Sequence, residues 1–194
     1  MDEPSYGLIV EGGYDASVFP ELVRKIVSPQ VRVVVRPCGG VPKLMSRFPV
    51  FLREFEHVMQ GKPVDKALVI RDCDGRDPGL IERKMAERVR GRQFSFPRGV
   101  QFCTVQQEME AWLLADCRAI NAVARERGGR DVPQVQDQLE QIVNPKERLK
   151  WVLSDARLLY DGKVCGEIAN QTDIEALRYS CPSFHIFEKK VTDC

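Results

Sequence analysis

Apolar residues in this chain come in short unbroken runs, separated by longer stretches where they recur every three or four positions. Tyr6 to Val10 is the first run and predicts a strand. Val18, Phe19, Leu22, Val23 and Ile26 follow at helical spacing, with Asp15 placed to cap the helix and Pro20 near its first turn. Val31 to Val35 predicts a second strand, closed by Pro37 and Gly39-Gly40. A helix is expected from Lys43 to Gln60, bent at Pro49, with Leu52, Phe55 and Met59 buried. Lys66 to Arg71 predicts the third strand. Asp77-Pro78 opens a helix whose inner row is Ile81, Met85 and Val89, and Gly99 to Val105 predicts the fourth strand. Strands alternating with helices predict an α/β fold, a largely parallel sheet flanked on both faces by helices.

Beyond Gln106 the pattern becomes helical throughout. Segments are expected at Glu108 to Ala115, Cys117 to Arg127, Val135 to Val143, Pro145 to Leu153, Asp173 to Tyr179 and Pro182 to Val191, with a polar break from Gly128 to Pro133. Trp112 and Trp151 are expected to fill the interface between these helices and the sheet. The chain therefore divides into an α/β core over residues 1–105 and a C-terminal helical extension over residues 106–194 that packs on the core.

Composition excludes more than it selects. The 29 Lys+Arg balance 28 Asp+Glu, so no global field draws the chain to nucleic acid, and such affinity must be local. The 7 cysteines form no C-x-x-C pair and there are only 2 histidines, His57 and His185, both read as structural; this argues against structural zinc. Unpaired thiols in this number favour a reducing compartment. Neither a basic-then-apolar leader after Met1-Asp2-Glu3-Pro4 nor an apolar run long enough to cross a bilayer is present. The expectation is a cytoplasmic protein that does not enter membranes.

Two acidic signatures carry the candidate chemistry. Glu11-Gly12-Gly13-Tyr14-Asp15 follows the first strand, and Asp72-Cys73-Asp74-Gly75 follows the third. Parallel strands ending in carboxylates present them at one sheet edge, where open α/β folds place ligands. Carboxylates gathered there call for a cation, and magnesium or manganese prefer oxygen donors. Gly12 lets backbone approach a ligand closely, at the start of a helix that favours phosphate. The plainer readings are a tight strand-to-helix turn and an ordinary acidic turn. Cys73 should point away from its two neighbours because strand side chains alternate. Lys84, Arg88 and Arg92 recur at every fourth position and form either a phosphate-binding stripe or a solvated helix face.

Together these motifs resemble the Toprim catalytic domain, shared by topoisomerases, bacterial primases and the overcoming-lysogenization-defect nucleases. There a glutamate in a Glu-Gly-x-x-Asp motif ends the first strand and an Asp-x-Asp pair ends the third. The later segments are similar to those of small stand-alone bacterial Toprim-like proteins: Glu108-Met109-Glu110-Ala111-Trp112-Leu113-Leu114, Asn144-Pro145-Lys146-Glu147-Arg148, Tyr160-Asp161-Gly162-Lys163 and Arg178-Tyr179-Ser180-Cys181-Pro182-Ser183-Phe184. Gln107 departs from them, standing where they often carry histidine.

The resemblance implies a Toprim-like Rossmannoid sheet and a Mg2+- or Mn2+-dependent nuclease acting on DNA, or else a nuclease that processes RNA. Asp72 and Asp74 would hold the metal, and Glu11 would be a ligand or general acid/base. Glu110 would complete a second metal site and Lys163 would stabilise developing charge, with Glu108 and Lys146 as competing choices; Lys146 could also contact phosphate. It further implies an ATPase partner and a role in defence against phage. The chain itself has no G-x-x-x-x-G-K-[ST] loop for ATP. The same motifs would also suit a non-catalytic subunit that binds nucleic acid or a partner, or a haloacid-dehalogenase-like phosphatase. The phosphatase fits less well, because its Asp-x-Asp pair normally ends the first strand.

Overall fold

A computed structural model describes residues 4–136 and 138–193; Met1-Asp2-Glu3, Asp137 and Cys194 lie outside the described residues. Four strands, β1 (Ser5–Val10), β2 (Arg32–Pro37), β3 (Lys66–Asp72) and β4 (Val100–Val105), form one sheet in the order β2-β1-β3-β4. Every pairing is parallel, with Leu8 opposite Leu68 and Ile9 opposite Val69. The fold is thus the expected α/β architecture. β1 and β3 lie at the centre and are buried on both faces, so they read as unbroken apolar runs. β2 is an edge strand of half-exposed residues, where Pro37 is tolerated.

Strand alternation sends side chains into two cores. Tyr6, Leu8, Val10, Leu68 and Ile70 face one, while Ile9, Ala67, Val69 and Cys73 face the other. The second core is closed by α2 (Val41–Phe55) and α3 (Pro78–Arg88). Gly7 admits Phe55 against β1, for a Cβ there would fall 2.4 Å from its ring. α2 ends at Phe55, short of the expected Gln60. The chain turns through Gln60 and Gly61, both at positive φ, and Val64 donates back to the Phe55 carbonyl. α3 likewise ends at Arg88, so Arg92 lies past the helix and, of the three cations expected in a stripe, Lys84 and Arg88 alone lie exposed on α3.

The first core is larger and is shared with the C-terminal half. α1 (Gly13–Ile26) contributes Val18, Phe19, Leu22 and Val23. Pro20 sits in the interior of this helix rather than its first turn, and is buried. Over α1 and the sheet lie α4 (Glu110–Leu113), α5 (Cys117–Glu126), α6 (Pro145–Asp155), α7 (Gly162–Gln171), α8 (Ile174–Ser180) and α9 (Pro182–Thr192). Trp112 is fully buried and meets Phe19 and Phe184 edge-on, as expected; Trp151 instead lies on the outer face of α6, 69% exposed. Among the described residues from Val135 to Val143, the chain forms a 3-10 turn, Leu139–Gln141, in place of the expected helix. α7 forms where the sequence pattern predicts no element. α9 reaches back to the amino end of the sheet, where the Tyr6 hydroxyl and the Lys66 ammonium both donate to the Val191 carbonyl, at 3.1 and 3.2 Å.

Candidate functional site

The carboxyl ends of β1 and β3 stand side by side, and the acids that follow them meet. Glu11 Oε1 accepts a hydrogen bond from the Asp72 backbone N–H at 3.2 Å. The Glu11 carbonyl in turn accepts from Gly39 and Gly40 at 2.7 and 2.9 Å, so three strand ends are tied at this point. Asp15 is the third residue of α1 and not its cap. Gly12 holds the cap position, and the Asp15 carboxylate accepts from its N–H at 2.8 Å. The turn after β1 therefore folds Asp15 back toward Glu11.

Asp72 is the last residue of β3, on the face opposite Cys73, which packs in the core under α2 and α3. The chain then takes a left-handed step at Asp74 (φ 49°) and Gly75 (φ 74°), a conformation Asp tolerates and Gly prefers. This step leaves Asp74 exposed at the rim, 3.7 Å from Arg76. Glu110 begins α4 and is buried, with its carboxylate held by the Tyr160 hydroxyl. Glu108 accepts from the Lys146 N–H at the start of α6, 3.0 Å away.

The charges in this group oppose one another. Burial, then Asp15, pushes Glu11 up to about 7. Burial raises Asp15 to about 6, with Glu110 adding to it. Asp72 is held well above the usual carboxylate range by burial and by Asp15, Glu11, Glu110 and Glu108. Glu108 is raised by burial, with Glu110 and Asp74 contributing. Two cations offset this. The Lys146 ammonium acts on Asp15 and Glu108. Arg71 Nε lies 3.8 Å from Glu11 Oε1, buried and without a hydrogen-bond partner.

Glu11, Asp72, Asp74, Glu108, Glu110 and Lys146 thus come together, as does Gly12. Lys163 does not join them. It lines a separate groove between α1 and α7 with Ser17, Glu21, Glu126 and Glu167. Lys84 and Arg88 lie exposed on α3, beyond the sheet face that carries Asp15 and Glu110. Asp15 belongs to the cluster, and its position in the Glu-Gly-x-x-Asp motif is the signal in the sequence. Tyr14 and Tyr160 also belong here: their rings stack with centroids 4.7 Å apart and planes 13° apart. No sequence pattern could pair residues so far apart.

The donors are hard oxygens, the chemistry that suits magnesium or manganese. Among the described residues no three His, Cys, Asp or Glu side chains stand in a ready-made metal-binding arrangement. Fold and site define an α/β protein with a parallel sheet and a crowded carboxylate cluster at its carboxyl edge. The chain belongs to the family described as Domain of unknown function (DUF4276), whose model matches residues 10–192. No curated protein and no solved structure matches it. Among the described residues no helix is long and apolar enough to cross a membrane.

Proposed function

We propose that this protein is a divalent-metal-dependent nuclease of the Toprim class, with Glu11, Asp15, Asp72 and Glu110 as the principal metal-holding residues and Asp74 and Glu108 at the rim. The observation that carries the reading is the convergence of these carboxylates from β1, α1, β3 and α4 on one sheet edge. Their mutual repulsion and burial hold Glu11, Asp15 and Asp72 above the usual carboxylate range, the condition a cation relieves. Bound there, magnesium or manganese would neutralise phosphodiester charge and make a bound water more acidic.

The protein's own groups have separable tasks. The Asp72 N–H fixes one oxygen of Glu11. Tyr160 orients Glu110 by donating to its carboxylate. Lys146, beside Asp15 and Glu108, takes the charge-stabilising role in place of Lys163. The polymer is taken to be DNA ahead of RNA, and the likeness to defence nucleases extends the proposal to a partner ATPase.

Calorimetric Mn2+ titration and a plasmid-nicking assay on wild type and the Asp72→Asn/Asp74→Asn double variant test this. Wild type should bind manganese and nick DNA, and the double variant should lose binding and at least about 100-fold of the rate, on the order expected when a metal-held catalytic charge is removed. Undiminished cleavage by the double variant would overturn the site. Absence of cleavage by wild type, with or without an ATPase partner, would leave a binding subunit as the better account.

A further inference from the structure

A polyanion approaching the carboxyl edge of the sheet meets carboxylates, so the groups that hold it must lie beside them. Tyr14, Tyr160, Lys146 and Lys150 form such a place. Tyr14 follows the Gly12-Gly13 turn and Tyr160 immediately precedes the Asp161 cap of α7. Their rings stack in near-parallel planes, and both stay partly exposed. Tyr160 is pinned to the cluster by its hydroxyl bond to Glu110.

Lys146 and Lys150 stand one helical turn apart on α6. Lys146 Nζ lies 5.6 Å from the Tyr14 centroid and 5.8 Å from that of Tyr160. Being nearly equidistant, it sits at the side of the pair and not on an outer face. Lys150 Nζ lies 5.5 Å from the Tyr160 centroid. Each ring keeps an exposed part, and it is there that a third ring would meet the pair.

Resting on the nuclease reading, we propose that Tyr14 and Tyr160 form a stacking subsite for an unpaired nucleobase, with Lys146 and Lys150 on the adjoining phosphates, so that the substrate is single-stranded or locally opened nucleic acid. Aromatic platforms flanked by cations are how proteins hold single strands, since every base offers a flat π-face whatever its identity. A continuous duplex hides those faces within its own stack. The exposed cations of α3 stand apart from this place: Lys84 and Arg88 occupy a separate helix, and Arg92 is off it.

The test measures binding alone, in chelator, so that it is independent of cleavage. Fluorescence anisotropy compares a labelled single-stranded oligonucleotide, an abasic strand of the same length, and a blunt duplex. A 2-aminopurine strand reports stacking by quenching. The full chain should prefer the single strand to the abasic one by about tenfold, as expected for one stacked base, and should quench 2-aminopurine. Tyr14→Leu should remove both effects while leaving abasic-strand binding unchanged; Tyr14→Phe should retain them. Equal affinity for normal and abasic strands, preference for the duplex, or no binding of any oligonucleotide overturns the subsite. The abasic comparison needs no variant and decides the matter even if Tyr14→Leu fails to fold. Plasmid nicking without single-strand preference would sink this proposal and leave the nuclease reading standing.

Discussion

Glu11 sits under opposed demands: its backbone is fixed by strand ends, and its side chain is half-buried among other acids. In an unfolded chain it would titrate near its ordinary value of 4.5, but in the fold it does so near 7. Between those values the folded state holds the extra proton, so stability falls as pH climbs from about 4.5 to 7 and is level above. Asp15 and Asp72 act in the same direction. In chelator, urea unfolding should therefore give lower stability at about pH 8 than at about pH 6, and Asp72→Asn should raise stability at the higher pH by removing a half-buried charge crowded by other acids. Manganese affinity should rise with pH across the same window, about tenfold per unit for each proton displaced. A stability that grows between about pH 6 and 8 in chelator would contradict the crowding of these acids.

Among the elements, α7 shows where the sequence stops being legible. Its stretch Asp161-Gly162-Lys163-Val164-Cys165-Gly166 has two glycines, poor helix formers, and no element is expected there. The helix forms because Asp161 caps it, accepting from Val164 N–H at 2.8 Å, and because Val164, Cys165, Ile168 and Ala169 are buried. The glycines serve the packing. A Cβ on Gly162 would lie 3.0 Å from the Ser17 hydroxyl, and one on Gly166 3.0 Å from the Ser17 carbonyl, so α7 rides directly on α1. Gly166→Leu should lower unfolding free energy in urea by about 2–3 kcal/mol through overpacking and, by displacing the segment that carries Tyr160, weaken manganese binding too. Wild-type stability in that variant would refute the close approach. By contrast β1 and β3, buried on both faces, are plain from their apolar runs, and with them the placement of Glu11 and Asp72 at one edge. Lys146 and Tyr160 reach the site only through the packing of α6 and α7, which no local pattern encodes. Lys163, in the legible motif, faces another groove for the same reason.

For the molecule as a whole, the boundary between a core over residues 1–105 and an added helical layer is a boundary of sequence pattern more than of packing. The core cluster that contains Tyr6, Leu8 and Leu68 also contains Trp112, Ile168, Phe184 and Val191. Lys66 in β3 is fully buried, with its ammonium donating to backbone carbonyls at the end of α9. Lys190 from α9 closes on Glu82 in α3 and on the Phe102 carbonyl in β4, the latter 2.6 Å away. Residues 1–105 alone would leave the first core covered by α1 only and Lys66 without those carbonyl partners, while losing Glu108, Glu110 and Lys146 from the site. A chain cut after Val105 should therefore lack a cooperative thermal transition, whereas the full chain should unfold in one step seen alike by circular dichroism and by tryptophan fluorescence. Two separated transitions in the full chain, or a well-folded fragment that binds manganese, would show that the carboxylate edge is built by the first half unaided. Shared burial and the crossing contacts of α9 argue that the edge takes shape only when both halves close on the same core.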